Sequence, residues 1–167
     1  GDSVRVPASF SGLYGIRPTY GRLDLGGMMV QAPSSDTTGW FARDGESFRR
    51  VSEVLLAEAI GEAVPRRLVI AVDAFGFAEP ETRKALDPLL ERIAASAGEV
   101  VEEGMAPQGI SVWSRSQRTL QMAEAWATFQ DWIDRTNPRF AFNVARGLVM
   151  GSLVPDVDRQ WASLMKR

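Results

Sequence analysis

One serine at the start of this sequence has the surroundings that acyl transfer requires, in the run Gly1-Asp2-Ser3. A serine beside a glycine, entering a short strand, lets backbone N–H groups point at the same atom as the hydroxyl. The hydroxyl can then attack a carbonyl while the N–H groups stabilise the oxyanion that forms. A Gly-x-Ser at a chain start is more often an ordinary loop, so this spacing alone does not establish an active site.

The composition excludes most other catalytic chemistry. The 167 residues include no His and no Cys. The chain therefore cannot form a Ser-His-Asp triad, a His-ligated or thiolate metal site, a cysteine nucleophile or a disulfide. Lys84 and Lys166 are the two lysines, and the other basic residues are Arg, which stays protonated and is a poor general base. Both lysines are predicted on the surface, so a catalytic lysine base is missing from this chain.

Two sequence blocks resemble the amidase signature family. The first block reads Ser3-Val-Arg-Val-Pro-Ala-Ser-Phe10 and then Gly12-Leu-Tyr-Gly-Ile-Arg-Pro-Thr-Tyr-Gly-Arg22. The family pattern is Gly-Gly-Ser-(Ile/Val)-Arg-x-Pro-Ala, then Cys-Gly-x-x-Gly-x-(Lys/Arg)-Pro-Thr-x-Gly-Arg. The second block, Asp36-Thr-Thr-Gly-Trp-Phe-Ala-Arg-Asp44, is similar to the family's Asp-Thr-x-Gly-x-x-Ala-Arg. Within this block, the residues Trp40-Phe-Ala-Arg-Asp44 most resemble the subgroup of indole-acetamide hydrolases and chloroplast-envelope receptor domains.

The resemblance implies an amide hydrolase with a Ser-Ser-Lys triad. In the family, a lysine takes a proton from a bridging serine held on a cis peptide, and that serine activates a second serine. The second serine attacks the amide carbonyl, ammonia or an amine leaves, and water hydrolyses the acyl-enzyme. On this sequence the attacking serine is Ser3, and Gly1 and Asp2 form the oxyanion loop. The lysine and bridging serine belong to a segment before residue 1, so we expect the C-terminal portion of a longer amidase, inactive by itself.

Asp2 departs from the family pattern, which has glycine immediately before the nucleophile. A carboxylate there opposes the negative charge that forms on the substrate oxygen, and its Cβ crowds a close backbone approach. Asp2 is therefore either an artefact of the terminus or a change that impairs the site. Ser11 stands where the family often has Cys, and we expect this change to be harmless.

The remaining motif residues are interpreted as structural. Arg5 is expected to tie the nucleophile loop to a carboxylate upstream, and Pro7 to shape the turn. Asp36 is predicted to cap a loop, with Arg43 as its ion-pair partner. No metal site and no cofactor are expected.

The periodicity predicts an α/β chain, which we interpret as the C-terminal portion of an amidase signature fold with a mixed sheet flanked by helices. All of residues 1–167 are assigned to one amidase domain. Residues 1–44 carry the nucleophile motif and are predicted to form short strands joined by tight turns. Residues 45–112 are predicted to hold a helix and a βαβ-like unit, and residues 113–167 to be helical.

Individual elements follow from local signals. Asp44 is a predicted N-cap for a helix over 45–60. The βαβ-like unit is predicted as a strand over 67–72, buried on both faces, a helix over 80–96 and a strand over 99–102. The later helix is predicted to break at Asn137-Pro138.

An apolar stripe marks the helix that precedes this break. Met122, Trp126, Phe129 and Ile133 are spaced at i, i+4, i+7 and i+11, which places them on one helix face. Core packing is the preferred interpretation of this face. The same interpretation is preferred for the tryptophans that could instead line an aryl or alkyl acyl pocket, which are Trp40, Trp113, Trp126 and Trp132.

The sequence favours hydrolysis of a small linear amide in the cytoplasm. One alternative is a catalytically inactive amidase-like docking domain, which Asp2 favours modestly, and a less favoured one is a tRNA-dependent amidotransferase subunit. A net charge of -2 gives no reason to expect nucleic acid. No apolar run approaches the roughly 20 residues that cross a bilayer, so no membrane partner is expected. A homodimer of the full-length enzyme is a possible assembly.

Overall fold

A computed structural model describes residues 4–61 and 66–166 of the chain. Its first element is a short helix, α1 (Arg5–Phe10). The prediction of a strand at this point is wrong. Pro7 does not prevent the helix, because it lies in the first turn, where backbone N–H groups have no intrahelical partner. Ala8 is the buried residue of α1.

Two short strands follow and pair with each other. β1 (Tyr14–Ile16) and β2 (Trp40–Ala42) are antiparallel, with Ile16 opposite Trp40. Residues 17–39 connect them through a series of turns. The strand predicted near Ile16 is therefore confirmed, and its partner comes from the second motif block.

The next element is helix α2 (Gly45–Leu56). Asp44 caps it as predicted, since one carboxylate oxygen accepts the backbone N–H of Ser47 at 2.8 Å. The helix ends at Leu56 and not at residue 60 as expected. Ala57 adopts a left-handed conformation with φ of 53°, and its N–H bonds the Glu53 carbonyl, which closes the last turn.

Trp40 fastens α2 to β2. The Trp40 side chain is 8% exposed, and its Nε1–H donates to the Ser52 hydroxyl at 3.0 Å. That hydroxyl in turn donates to the Phe48 carbonyl at 2.7 Å. The Phe48 ring lies between those of Trp40 and Tyr14, at centroid distances of 6.4 and 6.1 Å. Core packing is therefore confirmed for Trp40.

The predicted βαβ unit is present. Strands β3 (Arg67–Ala71) and β4 (Glu99–Glu103) are parallel, with Leu68 opposite Val100. Between them lie a short helix, α3 (Val72–Phe75), and α4 (Pro80–Ser96). The unit is less buried than predicted, because β3 is half-buried rather than covered on both faces.

Three helices complete the chain: α5 (Ile110–Thr136), α6 (Phe142–Ser152) and α7 (Asp156–Met165). The break after Thr136 is confirmed, with Asn137 in a left-handed conformation. α5 packs against both later helices. Its buried residues include Leu120, Ala123 and Ala125, while α6 buries Leu148 and α7 buries Ala162.

A glycine lets α6 approach α5 closely. A Cβ at Gly151 would overlap the Met122 carbonyl oxygen of α5 and lie 3.2 Å from the Cβ of Trp126. α5 also contacts α7, where the Arg115 guanidinium of α5 lies over the Trp161 ring, 5.2 Å from its centroid. α5 is therefore the central helix of this part of the fold.

The α/β class is confirmed. Within the described residues the strands form two pairs, one antiparallel and one parallel. Large apolar side chains are exposed on several helices, including Phe10, Val54 and Phe142. In the described part of the chain, none of the helices has the length and apolarity to cross a membrane.

Candidate active site

The predicted nucleophile Ser3 and the oxyanion-loop residues Gly1 and Asp2 lie outside the described residues. The description begins at Val4, which directly follows Ser3 in the chain. How Val4 is held therefore determines how the nucleophile segment joins the fold.

Val4 lies against the glycine of the second motif block. A Cβ at Gly39 would lie 2.7 Å from Cγ2 of Val4 and 2.7 Å from the Ile16 carbonyl oxygen. Gly15 has the same role one strand away, since a Cβ there would lie 2.5 Å from the Cβ of Ala8. Without side chains at these two positions, Val4 and α1 pack directly onto the β1–β2 pair. The two motif blocks therefore meet at the residue after Ser3.

Backbone hydrogen bonds also fix α1 to the turn that follows. The Ala8 N–H donates to the Val4 carbonyl at 2.9 Å, and the Leu13 N–H donates to the Ala8 carbonyl at 2.8 Å. Pro7 contributes its carbonyl, which accepts the Ser11 N–H at 3.0 Å. The Arg5 side chain is exposed, and its expected carboxylate partner upstream stays a prediction.

Asp36 caps the loop that precedes the second block. One of its carboxylate oxygens accepts the N–H of Gln31 at 2.6 Å and the N–H of Ala32 at 2.8 Å. The expected ion pair with Arg43 is wrong, because within the described residues Arg43 is exposed and no salt bridge joins the two side chains. Two backbone N–H groups satisfy the Asp36 carboxylate in place of that guanidinium.

The loop over residues 31–36 is held from outside by polar side chains, and we call it the clamped loop. The Ser34 N–H donates to the Glu124 carboxylate at 2.9 Å. The Lys166 ammonium donates to the Ser34 carbonyl at 2.5 Å and to its hydroxyl at 2.8 Å. Arg17 donates to the Ser35 carbonyl at 2.7 Å. Two weaker contacts at 3.3 Å come from α5, where Gln117 donates to the Ser35 hydroxyl and Thr128 to the Gln31 carbonyl.

Sequence reasoning missed the side chains that hold the clamped loop. Glu124 and Gln117 lie on a helix that was interpreted from its apolar stripe. A polar residue on such a helix is usually solvated. A signal was present, because Gln117, Glu124 and Thr128 are spaced at i, i+7 and i+11 and so share one face. The prediction that both lysines are surface residues is confirmed, and Lys166 in addition binds Ser34.

One buried hydroxyl next to Asp36 has no hydrogen-bond partner. Thr37 is 2% exposed, and within the described residues its Oγ1 bonds to nothing. A buried hydroxyl without a partner costs free energy, so such groups are uncommon in folded proteins. Thr37 lies between the clamped loop and Gly39, close in sequence to the contact with Val4.

A cavity of about 550 Å³ opens between α5, α6 and the clamped loop. The larger apolar side chains of its lining include Met29, Met122, Phe129, Trp132, Phe140 and Leu148. The rings of Trp132 and Phe140 meet edge to face at a centroid distance of 6.0 Å. Polar groups on the wall come from Gln31, Asp36, Gln121 and Asn143. An apolar cavity with a few polar groups is typical of a small-molecule site.

The four residues of the apolar stripe are half-buried, and two of them border this cavity. Met122 and Phe129 of that stripe line the cavity. Trp132 also lines it and is 43% exposed, while Trp113 is 41% exposed. Core packing is therefore wrong for Trp113 and Trp132.

The cavity is linked to Val4 through a short length of chain. Asp36 lines the cavity, and Gly39 contacts Val4. Three residues of chain span at most about 11 Å, which limits the distance between these two points.

Among the described residues, no cluster of three or more Asp or Glu side chains could hold a metal ion.

Two carboxyl groups of the described residues have shifted pKa values. Bonds from the Ser47 backbone N–H and hydroxyl lower the pKa of Asp44, and the N–H groups of Met105 and Ala106 lower that of Asp73. Neither group lines the cavity, so both act on stability and not on the site.

Several known proteins are similar to this chain in sequence or in fold. A model of the Amidase family matches residues 1–102. Amidase 1 of Arabidopsis thaliana is 39% identical over 99 residues, which cover 59% of this chain and 23% of that protein. Translocon at the outer membrane of chloroplasts 64 of Pisum sativum is 44% identical over 73 residues, or 43% of this chain and 12% of that protein.

A solved structure extends the similarity to the helical part. A crystal structure of an amidase superposes with a TM-score of 0.79 at 27% identity, covering 98% of this chain and 38% of that one. The chain thus spans less than a quarter of these two curated relatives' length and under two fifths of the amidase structure. The family match covers more than half of the chain and includes both motif blocks. The chain belongs to the amidase family.

Proposed function

We propose that this chain supplies the nucleophile and one wall of the acyl pocket of a serine amide hydrolase. The Ser3 hydroxyl attacks the carbonyl of a linear amide, and backbone N–H groups beside it stabilise the oxyanion. The C–N bond then breaks, ammonia or an amine leaves with a proton, and water hydrolyses the seryl ester. By resemblance to the family, the proton acceptor is a lysine acting through a second serine, both supplied upstream of residue 1.

The observation that carries this proposal is the seating of Val4. Gly39 and Ile16 leave just enough space for the Val4 side chain, and the Ala8 N–H bonds its carbonyl. A nucleophile must be held in a fixed geometry to react well, and misplacement by about 1 Å can reduce a rate about a hundredfold. The convergence of two motif blocks on Val4, the residue that follows Ser3, is expected if this segment has a catalytic role.

The cavity favours a class of substrate. Its aromatic and thioether lining suits an aryl or branched alkyl acyl group, and a volume of about 550 Å³ accommodates a molecule of that size. Gln121 and Asn143 can orient a polar atom of such a group by hydrogen bonding. We therefore propose aryl or alkyl amides in preference to short aliphatic ones.

The test uses the complete polypeptide that contains these residues and a fluorophosphonate probe, with labelling measured by intact mass. We expect one label per molecule, lost in Ser3→Ala and retained in Ser9→Ala, a matched control because Ser9 is an exposed serine of α1. Hydrolysis of an aryl amide is then expected to exceed that of acetamide. A label that remains in Ser3→Ala, or no label in an active protein, refutes the assignment.

A second candidate function is docking by a catalytically inactive domain. Two observations favour it: Asp2 occupies the place of the family's glycine, and one relative bears the name of a chloroplast outer-membrane translocon component. Asp2→Gly distinguishes the two candidates. If Asp2 impairs a real active site, Asp2→Gly accelerates labelling of Ser3. If the domain serves in docking, neither protein is labelled.

A further inference from the structure

The polar face of α5 that holds the clamped loop lies directly beside the cavity wall. Gln117, Gln121, Glu124 and Thr128 follow at i, i+4, i+7 and i+11, so they form one line along the helix. Gln117, Glu124 and Thr128 bond the clamped loop, and Gln121 lines the cavity. Gln117, Gln121 and Glu124 are half-buried and Thr128 is exposed. Three of the four residues have partners in the clamped loop, unlike the solvated face of an ordinary surface helix.

The strongest of these contacts converge on Ser34. Its N–H donates to the Glu124 carboxylate at 2.9 Å, while its carbonyl and hydroxyl accept from the Lys166 ammonium at 2.5 and 2.8 Å. Ser34 is thus gripped by an anion on one side and a cation on the other. Hydrogen bonds with one charged partner are shorter and about twice as strong as neutral ones.

The position of Ser34 bears on the nucleophile through a short length of chain. Four residues separate Ser34 from Gly39, whose Cα faces Val4. One of the four is Asp36, which caps the clamped loop by accepting the N–H groups of Gln31 and Ala32. The Arg17 guanidinium holds the Ser35 carbonyl from the side of β1. A segment fixed this closely at both ends transmits a displacement of Ser34 toward Val4 instead of absorbing it.

We infer that Glu124 is a positioning residue of the proposed amidase. By holding the Ser34 N–H it fixes the clamped loop, and so sets where Val4, the residue that follows Ser3, lies relative to the cavity. Lys166 acts on the same loop through the Ser34 carbonyl and hydroxyl. The inference rests on the proposed function, because it assigns Glu124 an effect on the reactivity of Ser3.

The test compares variants of the complete polypeptide. Glu124→Leu removes the acceptor, whereas Glu124→Gln keeps a side-chain oxygen that can accept the Ser34 N–H. Lys166→Met removes the opposing donor at an exposed position. Asp134→Leu is the matched control, since Asp134 is an exposed acid of α5 outside the clamp. Each protein is measured for fluorophosphonate labelling rate, kcat and KM with acetamide, and melting temperature.

We expect Glu124→Leu to slow labelling and lower kcat by about ten- to a hundredfold while KM stays unchanged, since the nucleophile and not the substrate is displaced. Glu124→Gln restores most of the rate. Lys166→Met lowers the rate in the same direction, and its effect is not additive with that of Glu124→Leu because both act through Ser34.

Three results overturn the inference. Glu124→Leu could react like the Asp134→Leu control, or lower only the melting temperature with unchanged rate per labelled molecule. It could instead raise KM at constant kcat, which would make Glu124 a substrate-binding residue. Labelling that survives in Ser3→Ala is a different failure: it refutes the proposed function itself, and this inference with it.

Discussion

Substituting Gly39 with alanine tests the contact on which the proposed site depends. The new Cβ would lie 2.7 Å from the Ile16 carbonyl oxygen, 2.7 Å from Cγ2 of Val4 and 3.2 Å from Cβ of Val4. Carbon atoms pack best at about 3.5–4.0 Å, so the methyl group is about 0.8 Å too close to Val4. The Ile16 oxygen cannot move freely, because β1 pairs with β2 at this point. The strain therefore falls on Val4, which must shift away from the strands.

The expected result is a loss of both stability and reactivity. Overpacking of this kind costs about 1–3 kcal/mol, and in a chain of this size each kcal/mol lowers Tm by about 2–4 °C. A shift of Val4 by even part of an ångström is expected to slow labelling of Ser3 at least about tenfold. The measurements are urea unfolding and the fluorophosphonate labelling rate in the complete polypeptide.

Gly45→Ala provides the matched control. A Cβ at Gly45 would meet the Tyr14 ring at ordinary contact distances of 3.8–4.0 Å, so this variant should fold and label normally. The reasoning is refuted if Gly39→Ala labels Ser3 at the rate of Gly45→Ala. A variant that is destabilised yet labels at full rate per folded molecule would show that Val4 supports the fold without positioning the nucleophile.

Two further predictions concern stability. Gly151→Ala should destabilise the fold by about 1–3 kcal/mol in urea unfolding, because its Cβ overlaps the Met122 carbonyl oxygen. Gly147→Ala has open space around the new Cβ and should stabilise α6 by about 0.5–1 kcal/mol. Equal urea midpoints for the two variants would contradict the α5–α6 packing. The lowered pKa values of Asp44 and Asp73 contribute stability that is present above the unfolded-state value of about 4 and is lost as the pH falls through the folded-state values. The double variant Asp44→Asn/Asp73→Asn should therefore lose less stability on acidification from pH 4 than the unsubstituted chain, measured as urea midpoint against pH, and parallel curves would rule out these two groups.

The elements that sequence reasoning found are those whose signals are local. The N-cap at Asp44 depends on a carboxylate three residues before a backbone N–H, which any reader of the sequence can count. The βαβ unit follows from two apolar runs on either side of a helical period, and the break at Asn137 from the proline that follows it. In each case the residues that decide the structure lie within one or two turns of each other.

The errors arose where contacts are distant in sequence. Pro7 and the glycines around it predicted strands, yet residues 5–10 form a helix. Ala8 of this helix packs on Gly15, and Val4 before it packs on Gly39. The helix predicted over 45–60 ends earlier, because Ala57 adopts a left-handed conformation that alanine rarely takes. Charge complementarity suggested an Asp36–Arg43 pair, whereas two backbone N–H groups already satisfied the carboxylate.

The candidate site could be predicted in part for the same reason. The motif blocks could be recognised as sequence patterns. Their contact at Val4 depends on the folded chain, and so does the hydrogen bond between Glu124 and Ser34, which are ninety positions apart. The sequence around a polar residue of a helix does not identify the group to which that residue bonds. The spacing of Gln117, Glu124 and Thr128 could have indicated a shared face, though not what that face contacts.

α5 joins the two halves of the proposed site in one rigid element. Its polar face bonds the clamped loop, and its apolar face, offset by a single residue at positions 122, 125 and 129, lines the cavity. One residue corresponds to about 100° around a helix, so the polar and apolar faces adjoin on the same element. A shift of α5 therefore moves both faces together. A change that displaces α5 should therefore alter acyl preference and nucleophile reactivity together. A change confined to α6, which lines the opposite wall through Leu148, should alter acyl preference alone.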